Sequence, residues 1–303
     1  QKRVAGIHFV GGIFTNLTQD HLDYHKSMQN YFLAKKKFFQ MLPENAFALS
    51  NGDDEYGISM LEDITARKLL YGLDTDVDFK GEIKKNDFSG LELKFNGVTL
   101  NSKLLGRFNA YNLLAVWSTC KLLGFDMTKV NNILKDIQPP KGRFDYFISK
   151  NGVIVVIDYA HTPDALEKII LAIKDVLQEV ESKENKLITV FGCGGDRDPL
   201  KRRIMGKIGA SLSNVAIFTS DNPRSEDRDK IIAEMKTDLS LKEIEKIKTI
   251  SNRREAIAES VKLAKEGDVI LCAGKGHEMY QEINGVKNHF DDMEEYKKMY
   301  AKI

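Results

Sequence analysis

The chain has 303 residues, of which 42% are hydrophobic and 29% are charged, which is typical of a globular protein long enough for two domains. Its 45 lysines and arginines balance 44 acidic residues, so no overall charge favours nucleic acid or a membrane surface as a partner. No segment approaches the roughly 20 consecutive apolar residues of a membrane-spanning helix, and we expect neither membrane insertion nor a signal peptide.

The first part of the chain alternates predicted strands and helices. Apolar segments at 10–15 and 46–51 predict strands, and residues 19–40 predict two helical segments. Gln1 is not an initiator methionine, and within a few residues the chain enters a segment that is typical of an interior strand. We therefore expect the sequence to be a piece of a longer protein.

The second helical segment carries a lysine among apolar residues. Spacings of three and four residues predict one apolar stripe formed by Met28, Tyr31, Phe32, Phe38 and Phe39. Lys35 lies within this stripe, whereas Lys36 and Lys37 are expected to point away from it. An ammonium on a packed face is unfavourable unless it is paired, chemically modified or near a metal. The alternative is that the Lys35 side chain extends along the surface to water.

Residues 76–103 differ from the preceding part because apolar and polar side chains alternate over short stretches. Together with the Asn96-Gly97 turn, this alternation predicts an antiparallel hairpin region. Helices are predicted next at 109–123 and 127–137. The sequence QPPKG then breaks the chain, and we place the domain boundary between residues 140 and 141.

The second part of the chain is a regular alternation of strands and helices. Its strands consist of nearly continuous apolar residues, which indicates an α/β fold with a mostly parallel sheet covered on both faces. The strands are predicted at 153–158, 187–191, 215–219, 247–250 and 269–272. The helices are predicted at 163–179, 203–212, 227–238 and 253–265. Ligands of such sheets bind beyond the carboxyl ends of the strands.

The sequence GCGGDRDPLKRR follows the strand that ends at residue 191. Backbone N–H groups at a helix start, together with nearby basic side chains, predict an anion site; these side chains are Arg197, Lys201, Arg202 and Arg203. The glycine spacing does not match the dinucleotide-binding GxGxxG pattern. A plain tight turn is the alternative.

Two further loops at strand ends contain residues that turn formation does not explain. In the segment DNPR at 221–224, Asn222-Pro223 favours a turn and Ser225 can cap the next helix. The guanidinium of Arg224 is then well placed to bind a carboxylate, although a solvated surface arginine is the alternative. In GKGHE at 274–278, the two glycines let the backbone approach a ligand closely, but the segment is not a Walker loop.

The segment DYAHTP at 158–163 ends one strand and opens a helix. Thr162 is the expected cap and Pro163 occupies the first helical turn. This role leaves Asp158 and His161 without a structural explanation. The three cysteines, Cys120, Cys193 and Cys272, are too far apart for a CxxC metal motif and are expected to pack in a reducing cytoplasm.

Eight segments in this order resemble the Mur ligases of peptidoglycan synthesis: FTNLTQDHLDYH, YFLAK, GRFNAYN, KGRF, DYAHTPDAL, GCGGDRD, DNPR and GKGHE. The resemblance covers essentially the whole chain. It implies the latter part of a central ATP-binding domain at 1–140 and a Rossmann-like, amino-acid-binding C-terminal domain at 141–303. It further implies a monomeric bacterial cytoplasmic enzyme that uses ATP and Mg²⁺.

The implied reaction is amide formation through an acyl phosphate. In such a reaction ATP phosphorylates the D-Glu carboxylate of UDP-MurNAc-L-Ala-D-Glu, and an amino acid amine attacks the product. The DNPR version of the recognition loop resembles that of the family members that add meso-diaminopimelate, whereas lysine-adding members lack the arginine. This difference suits the chemistry, because diaminopimelate carries a distal carboxylate and lysine does not.

The resemblance assigns roles to individual positions. His21 matches a Mg²⁺-binding histidine, and Lys35 matches a lysine that is carbamylated in the family, which would give Mg²⁺ a carboxylate ligand. Arg143 matches a residue that reaches the phosphates and steadies the transferring group. The remaining ATP-binding positions are Asn109, Asn112, Asp158 and His161. The positions that match amino-acid recognition are Arg202, Asp221, Asn222, Pro223, Arg224, Gly274 and Glu278, and those that match contact with the nucleotide-peptide substrate are Gln1 and Arg3.

The sequence departs from the family pattern in two respects. It contains no GxxGK[ST] phosphate loop and no N-terminal uridine-nucleotide domain. We therefore expect little or no ligase activity from this polypeptide alone. The alternatives are a lysine-adding Mur ligase, a more distant folate polyglutamate ligase, and a ligand-binding fragment without catalysis.

Overall fold

The computed structural model describes residues 6–18, 25–178 and 185–302. The chain forms two compact units, Gln1–Gln138 and Pro139–Ile303, which divide immediately before Pro139-Pro140, two residues earlier than the boundary predicted from the sequence. Gln1, Arg3 and His21, to which the sequence assigned ligand contacts, lie outside the described residues. The functions predicted for the two domains stay predictions.

The first unit is built on a six-stranded sheet whose spatial order follows the chain order. The strands are β1 (Gly11–Phe14), β2 (Phe47–Asn51), β3 (Arg67–Gly72), β4 (Phe79–Asp87), β5 (Gly90–Phe95) and β6 (Val98–Ser102). The first four strands are parallel and the last three form an antiparallel meander. The predicted hairpin region is therefore confirmed. Asn96 and Gly97 both have positive φ, as a tight two-residue turn requires.

The described residues of the first unit form these helices: α1 (Met28–Gln40), α2 (Gly57–Met60), α3 (Arg107–Leu122) and α4 (Met127–Asp136). Strand β3 and helix α2 were not predicted. Trp117 of α3 packs edge-on against Phe79 and Phe95 of the sheet and is almost fully buried. A second cluster includes Phe32 and Phe39 of α1 together with Phe14 of β1 and Ala48 of β2.

The second unit contains a six-stranded sheet in the order β11-β10-β9-β12-β8-β7. Its strands are β7 (Asp145–Ile148), β8 (Ile154–Asp158), β9 (Leu187–Phe191), β10 (Val215–Phe218), β11 (Ile247–Thr249) and β12 (Val269–Ala273). Five strands are parallel and β7 pairs antiparallel at one edge. The predicted α/β fold with a mostly parallel sheet is confirmed.

Helices cover both faces of this sheet, which explains why β9 and β12 are buried along their whole length. The helices are α5 (Pro163–Gln178), α6 (Leu200–Leu212), α7 (Arg228–Met235), α8 (Leu241–Ile244), α9 (Arg253–Leu263) and α10 (Asp292–Tyr300). Alternate residues of β8 pack with Ile257 of α9 and Tyr296 of α10 in one cluster. A two-stranded hairpin, β13 (Tyr280–Ile283) and β14 (Val286–His289), lies between β12 and α10.

Because β8, β9, β10 and β12 are parallel, their carboxyl ends lie at one edge of the sheet. The segments DYAHT, GCGGD, DNPR and GKGHE all begin at or just beyond these ends. Among the helices of the described residues, none combines the length and apolar character that crossing a lipid bilayer requires.

Candidate functional site

The loop after β9 lies directly against the loop after β10. A Cβ atom on Gly192 would overlap the carbonyl oxygen of Thr219, and one on Gly195 would overlap that of Pro223. The Gly195 N–H donates to the carbonyl of Asn222 at 2.9 Å. These glycines are therefore required by the close approach of two backbones.

Arg224 lies between this glycine loop and the β13–β14 hairpin. Its backbone N–H donates to the carbonyl of Glu282 at 3.1 Å, and its carbonyl accepts from Asn284 at 2.8 Å. Its Nη1 donates to the Gly195 carbonyl at 2.6 Å, and its Nε lies 3.6 Å from a carboxylate oxygen of Glu282. The side chain is 23% exposed, so part of it faces solvent. Its φ of +51° is uncommon for a residue with a side chain and is maintained by these backbone contacts.

A buried cluster of polar side chains adjoins Arg224. Lys275 has no exposed side-chain surface, and its Nζ donates to Asn222 Oδ1 at 3.1 Å and to Glu278 Oε2 at 3.3 Å. Asn222 Nδ2 also donates to Glu278 Oε2, at 2.9 Å. Asp221 Oδ1 lies 3.6 Å from Lys275 Nζ and is buried without a hydrogen-bond partner in the described part of the chain. This cluster is hereafter the lysine cluster: Asp221, Asn222, Lys275 and Glu278.

Gly274 and Pro223 help to shape the lysine cluster. Gly274 has a φ of +109°, and a Cβ atom there would lie 3.1 Å from Asp221 Oδ2. Pro223 is buried and its carbonyl accepts from the Glu226 N–H at 3.0 Å. The predicted cap for the next helix was wrong, because Asp227 rather than Ser225 caps α7.

Arg202 reaches the same region from α6 but is occupied by protein partners. Its buried guanidinium donates to Glu226 at 2.8 and 2.9 Å, to Glu234 at 2.8 Å and to the Gly194 carbonyl at 3.3 Å. The hydrogen bonds that Arg202 donates to Glu226 raise the pKa of Arg202 above its ordinary value. Direct contact of Arg202 with an amino acid stays a prediction, and the observed partners favour a supporting role for the loop.

The basic residues that predicted an anion site at the start of α6 do not converge. Arg203 pairs with Asp238 at 3.5 Å, and Lys201 donates to the carbonyl of His161 at 3.0 Å. With Arg202 bound to glutamates, three of the four side chains are directed to protein groups. The anion site itself stays a prediction.

The predicted residues Arg143 and His161 lie, together with His277, around the ring of Tyr159 at the end of β8. The guanidinium carbon of Arg143 lies 4.9 Å from the ring centre, and the rings of His161 and His277 lie 4.5 and 5.0 Å from it. Backbone contact between Gly142 and Gly276 permits this arrangement, because a Cβ on Gly142 would overlap the Gly276 backbone. This group is hereafter the tyrosine cluster: Arg143, Tyr159, His161 and His277.

Asp158 supports the tyrosine cluster from within the sheet edge. Its carboxylate accepts from the backbone N–H of Phe144 and of Ala160, each at 2.8 Å. Burial raises the pKa of Asp158, although these two donors and Arg143 oppose the rise. Thr162 caps the following helix as predicted, accepting from the Ala165 N–H at 3.3 Å.

In the first unit, Asn109 and Asn112 lie one turn apart at the start of α3. Asn112 Nδ2 lies 3.4 Å from Asn109 Oδ1, and Asn109 Nδ2 donates to the Leu105 carbonyl at 2.8 Å. The amide of Asn112 is exposed. The two side chains therefore form one polar face at the helix start.

The buried face of α1 differs from the apolar stripe that the sequence predicted. Lys36 is buried with Phe32 and Phe39, and its Nζ lies 3.9 Å from Glu62 and 4.0 Å from Asp63. Lys35 is half-buried, with its Nζ 5.1 Å from the ring centre of Tyr31. The expectation that Lys36 points away was wrong, because the buried face is centred on positions 32, 36 and 39.

A Mg²⁺ site requires several oxygen ligands close together. An unmodified lysine ammonium cannot ligate Mg²⁺, which prefers oxygen ligands, and no group of three metal-binding side chains occurs among the described residues. His21 lies outside those residues. The described residues alone do not form a site that fits Mg²⁺, and we assign no chemical step to a metal.

Domain profiles match both parts of the chain. The Mur ligase middle domain matches residues 1–120, and the domain described as "Mur ligase, glutamate ligase domain" matches residues 142–276. The chain therefore belongs to the Mur ligase family, whose members are ATP-dependent amide ligases.

Within this family the chain is similar to proteins named UDP-N-acetylmuramoyl-L-alanyl-D-glutamate–2,6-diaminopimelate ligase. It is 48% identical over 301 residues to the one from Parabacteroides distasonis and 48% identical over 300 residues to the one from Bacteroides thetaiotaomicron. Each match covers 99% of this chain and 61% of the relative. A solved structure of the same name is 33% identical with a TM-score of 0.68, covering 98% of this chain and 61% of that one. The chain thus spans 61% of the length of these relatives.

The sequence did not predict several residues that the structure places in the two clusters or beside Arg202 and Arg224. Lys275 and His277 belong to a segment that the sequence singled out, but neither was assigned a role. Glu226 and Glu282 carried no signal, because their contacts with Arg202 and Arg224 arise from distant parts of the chain.

Proposed function

We propose that the protein carrying this chain joins meso-diaminopimelate to UDP-MurNAc-L-Ala-D-Glu in an ATP-dependent amide ligation. The names of the similar proteins support the reaction, and the partly exposed side chain of Arg224 beside the lysine cluster is the observation that carries the choice of amino acid. The substrates, Mg²⁺ and a cytoplasmic location belong to this proposal.

The proposed chemistry has two steps. A carboxylate oxygen of D-Glu attacks the terminal phosphorus of ATP and releases ADP, which forms an acyl phosphate. The amine of diaminopimelate then attacks the acyl carbon, and phosphate departs with the electrons of the carbon–oxygen bond. The nitrogen loses a proton, and the product is an amide.

The amino acid would bind through the carboxylate and the ammonium group at its far carbon. A carboxylate suits Arg224, whose geometry allows two parallel hydrogen bonds. An ammonium suits Glu278 and Asp221, because the two negative charges of these carboxylates exceed the single positive charge of Lys275. Diaminopimelate has an ammonium and a carboxylate at its far carbon, whereas lysine has an ammonium alone.

The tyrosine cluster is proposed to contact ATP. Arg143 would stabilise the negative charge that develops on the transferring phosphoryl group, and Asp158 and His161 would support the phosphate and ribose contacts. Asn109 and Asn112 would contact the adenine, because amides can donate to and accept from its polar edge. Mg²⁺, with His21 and a carbamylated Lys35 as its ligands, is the part of this proposal that rests on the family resemblance alone.

The experiment measures tripeptide formation by the intact protein with diaminopimelate and with lysine. Arg224→Ala should lower kcat/KM for diaminopimelate by at least about 100-fold, because a charged carboxylate loses its partner. The KM for ATP should change by less than about threefold. Arg203→Ala, which removes an exposed arginine paired with Asp238, is the matched control.

Two results would contradict the proposal. Preference of the wild-type protein for lysine would overturn the substrate, and an equal loss of diaminopimelate and ATP use in Arg224→Ala would overturn the role of Arg224. Calorimetric titration of the 303-residue chain with diaminopimelate separately tests whether these residues bind the amino acid.

A further inference from the structure

Lys275 is a fully buried lysine at the carboxyl end of β12. Its ammonium has two hydrogen-bond partners, Asn222 and Glu278, and a third polar neighbour, Asp221 Oδ1, at 3.6 Å. Removing an ammonium from water is unfavourable unless its charge and its N–H groups are matched. These three neighbours all belong to the proposed amino-acid site rather than to the hydrophobic core.

Lys275 determines the orientation of the Asn222 amide. A lysine ammonium has donors and no acceptor, so Asn222 must turn its Oδ1 towards Lys275. The same oxygen accepts from the backbone N–H of Glu282 at 2.9 Å. The Nδ2 group must then face Glu278, to which it donates at 2.9 Å.

Glu278 is consequently held through one of its two oxygens. Both Lys275 and Asn222 donate to Oε2, and Oε1 has no hydrogen bond within the described ranges 6–18, 25–178 and 185–302. The carboxylate is thereby fixed with one oxygen available. The charge of Lys275 also leaves the cluster, which contains Asp221 and Glu278, with an excess of one negative charge, which matches a single ammonium.

We propose that Lys275 is a positioning residue for the amino-acid substrate, which acts by orienting Glu278 directly and through Asn222. This inference rests on the proposed function and extends it to a residue that does not itself contact the substrate. A purely structural buried ion pair would predict lost stability and no selective effect on one substrate.

The test is Lys275→Met in the intact protein. We expect the KM for diaminopimelate to rise about 10-fold to 100-fold, because the Glu278 carboxylate is no longer held in place. The KM for ATP should stay within about threefold of wild type. Lys287→Met is a matched control, because Lys287 also lies over the Tyr280 ring but is exposed on β14. The distance from Nζ to the ring centre is 4.3 Å for Lys287 and 5.5 Å for Lys275.

A double-variant comparison tests the route of the effect. If Lys275 acts through Glu278, the double variant Lys275→Met/Glu278→Gln should have the same diaminopimelate KM as Glu278→Gln alone. The double variant also removes one of the two carboxylate charges, that of Glu278, which Lys275→Met would leave without their neighbouring cation. It therefore carries the test if the single variant does not fold.

The outcomes separate this inference from the proposed function. A wild-type protein that does not use diaminopimelate would overturn the proposed function itself. With an active wild type, an unchanged diaminopimelate KM in Lys275→Met, an equal rise in both KM values, or a further tenfold rise in the double variant would each overturn the positioning role.

Discussion

Arg202 and Arg224 contact the same glycine loop but differ in what remains available to a ligand. Arg202 is 1% exposed and bound to two glutamates, whereas Arg224 is 23% exposed and has one carboxylate neighbour at 3.6 Å. A buried guanidinium needs such partners, since an unpaired buried charge destabilises a protein strongly. We infer that Arg202 stabilises the loop and that Arg224 is the one available for recognition.

The Arg202–Glu226 pair predicts a dependence of stability on pH. Hydrogen bonds from Arg202 and from the Asp196 N–H lower the pKa of Glu226 from 4.5 to about 2. A carboxyl with a lowered pKa stabilises the folded state above its unfolded pKa and loses that effect as pH falls. Glu226→Gln should therefore be less stable at pH 7, and its stability should change less than wild type between pH 4.5 and 2.

Urea unfolding at a series of pH values measures this effect. Glu255→Gln is the control, because Glu255 is exposed on α9. This variant should lose stability at acid pH to the same extent as wild type. If Glu226→Gln lost as much stability at acid pH as wild type, the Arg202–Glu226 pair would not contribute to stability in this pH range.

At the level of elements, two helix ends fix the loops that form the site. Arg253 at the start of α9 and Asp292 at the start of α10 form an ion pair with no exposed side-chain surface. The Arg253 guanidinium also donates to the carbonyls of Ser220 and Ala273, at 3.4 and 3.1 Å. The buried Arg253 guanidinium thus connects the loop after β10 to the end of β12.

The glycine loop after β9 gives a prediction with an internal control. Gly195→Ala should destabilise the protein by more than about 2 kcal/mol, because its Cβ would overlap the backbone oxygen of Pro223. Gly194→Ala should cost less than about 1 kcal/mol, since its Cβ would lie 3.1 Å from the movable Nη1 of Arg224.

The two alanine variants are compared by chemical denaturation and by the KM for diaminopimelate. Gly194→Ala should weaken amino-acid use while leaving stability nearly unchanged, because it displaces the Arg224 guanidinium. Equal stabilities of the two variants would contradict the close packing of the two loops.

Elements differ in how well the sequence predicts them. Strands β8, β9, β10 and β12 were predicted because continuous apolar residues between helices are typical of a parallel sheet. Strand β3 was missed because its sequence RKLLYG has no clear alternation and becomes a strand through pairing with its neighbours. The β13–β14 hairpin was missed although Asn284-Gly285, both with positive φ, is a strong turn signal.

At the scale of the whole molecule, each unit has its own hydrophobic core. The clusters that contain Trp117 and Phe39 lie entirely within Gln1–Gln138, and the cluster that contains Tyr296 lies entirely within Pro139–Ile303. Each unit therefore satisfies the main requirement for independent folding.

This separation predicts that residues 139–303 fold when expressed alone. Scanning calorimetry should show one cooperative transition, with an enthalpy of roughly 115 kcal/mol near 60 °C for a unit of this size. A broad transition without a heat-absorption peak, or loss of near-ultraviolet circular dichroism, would show that the unit needs the rest of the chain.

The sequence by itself determined the alternation of elements, the antiparallel region and the position of the four motif segments at strand ends. These features follow from local periodicity and from the rule that parallel strands end at one edge of a sheet. The tertiary structure alone decided that Lys36 rather than Lys35 is buried, that Arg202 is occupied, and that Lys275 holds Asn222 and Glu278. The reason is that such contacts depend on partners far along the chain, as with Arg202 and Glu226, which are 24 residues apart, and Lys275 and Asn222, which are 53 apart. Local patterns carry no information about which distant group will meet a given charge.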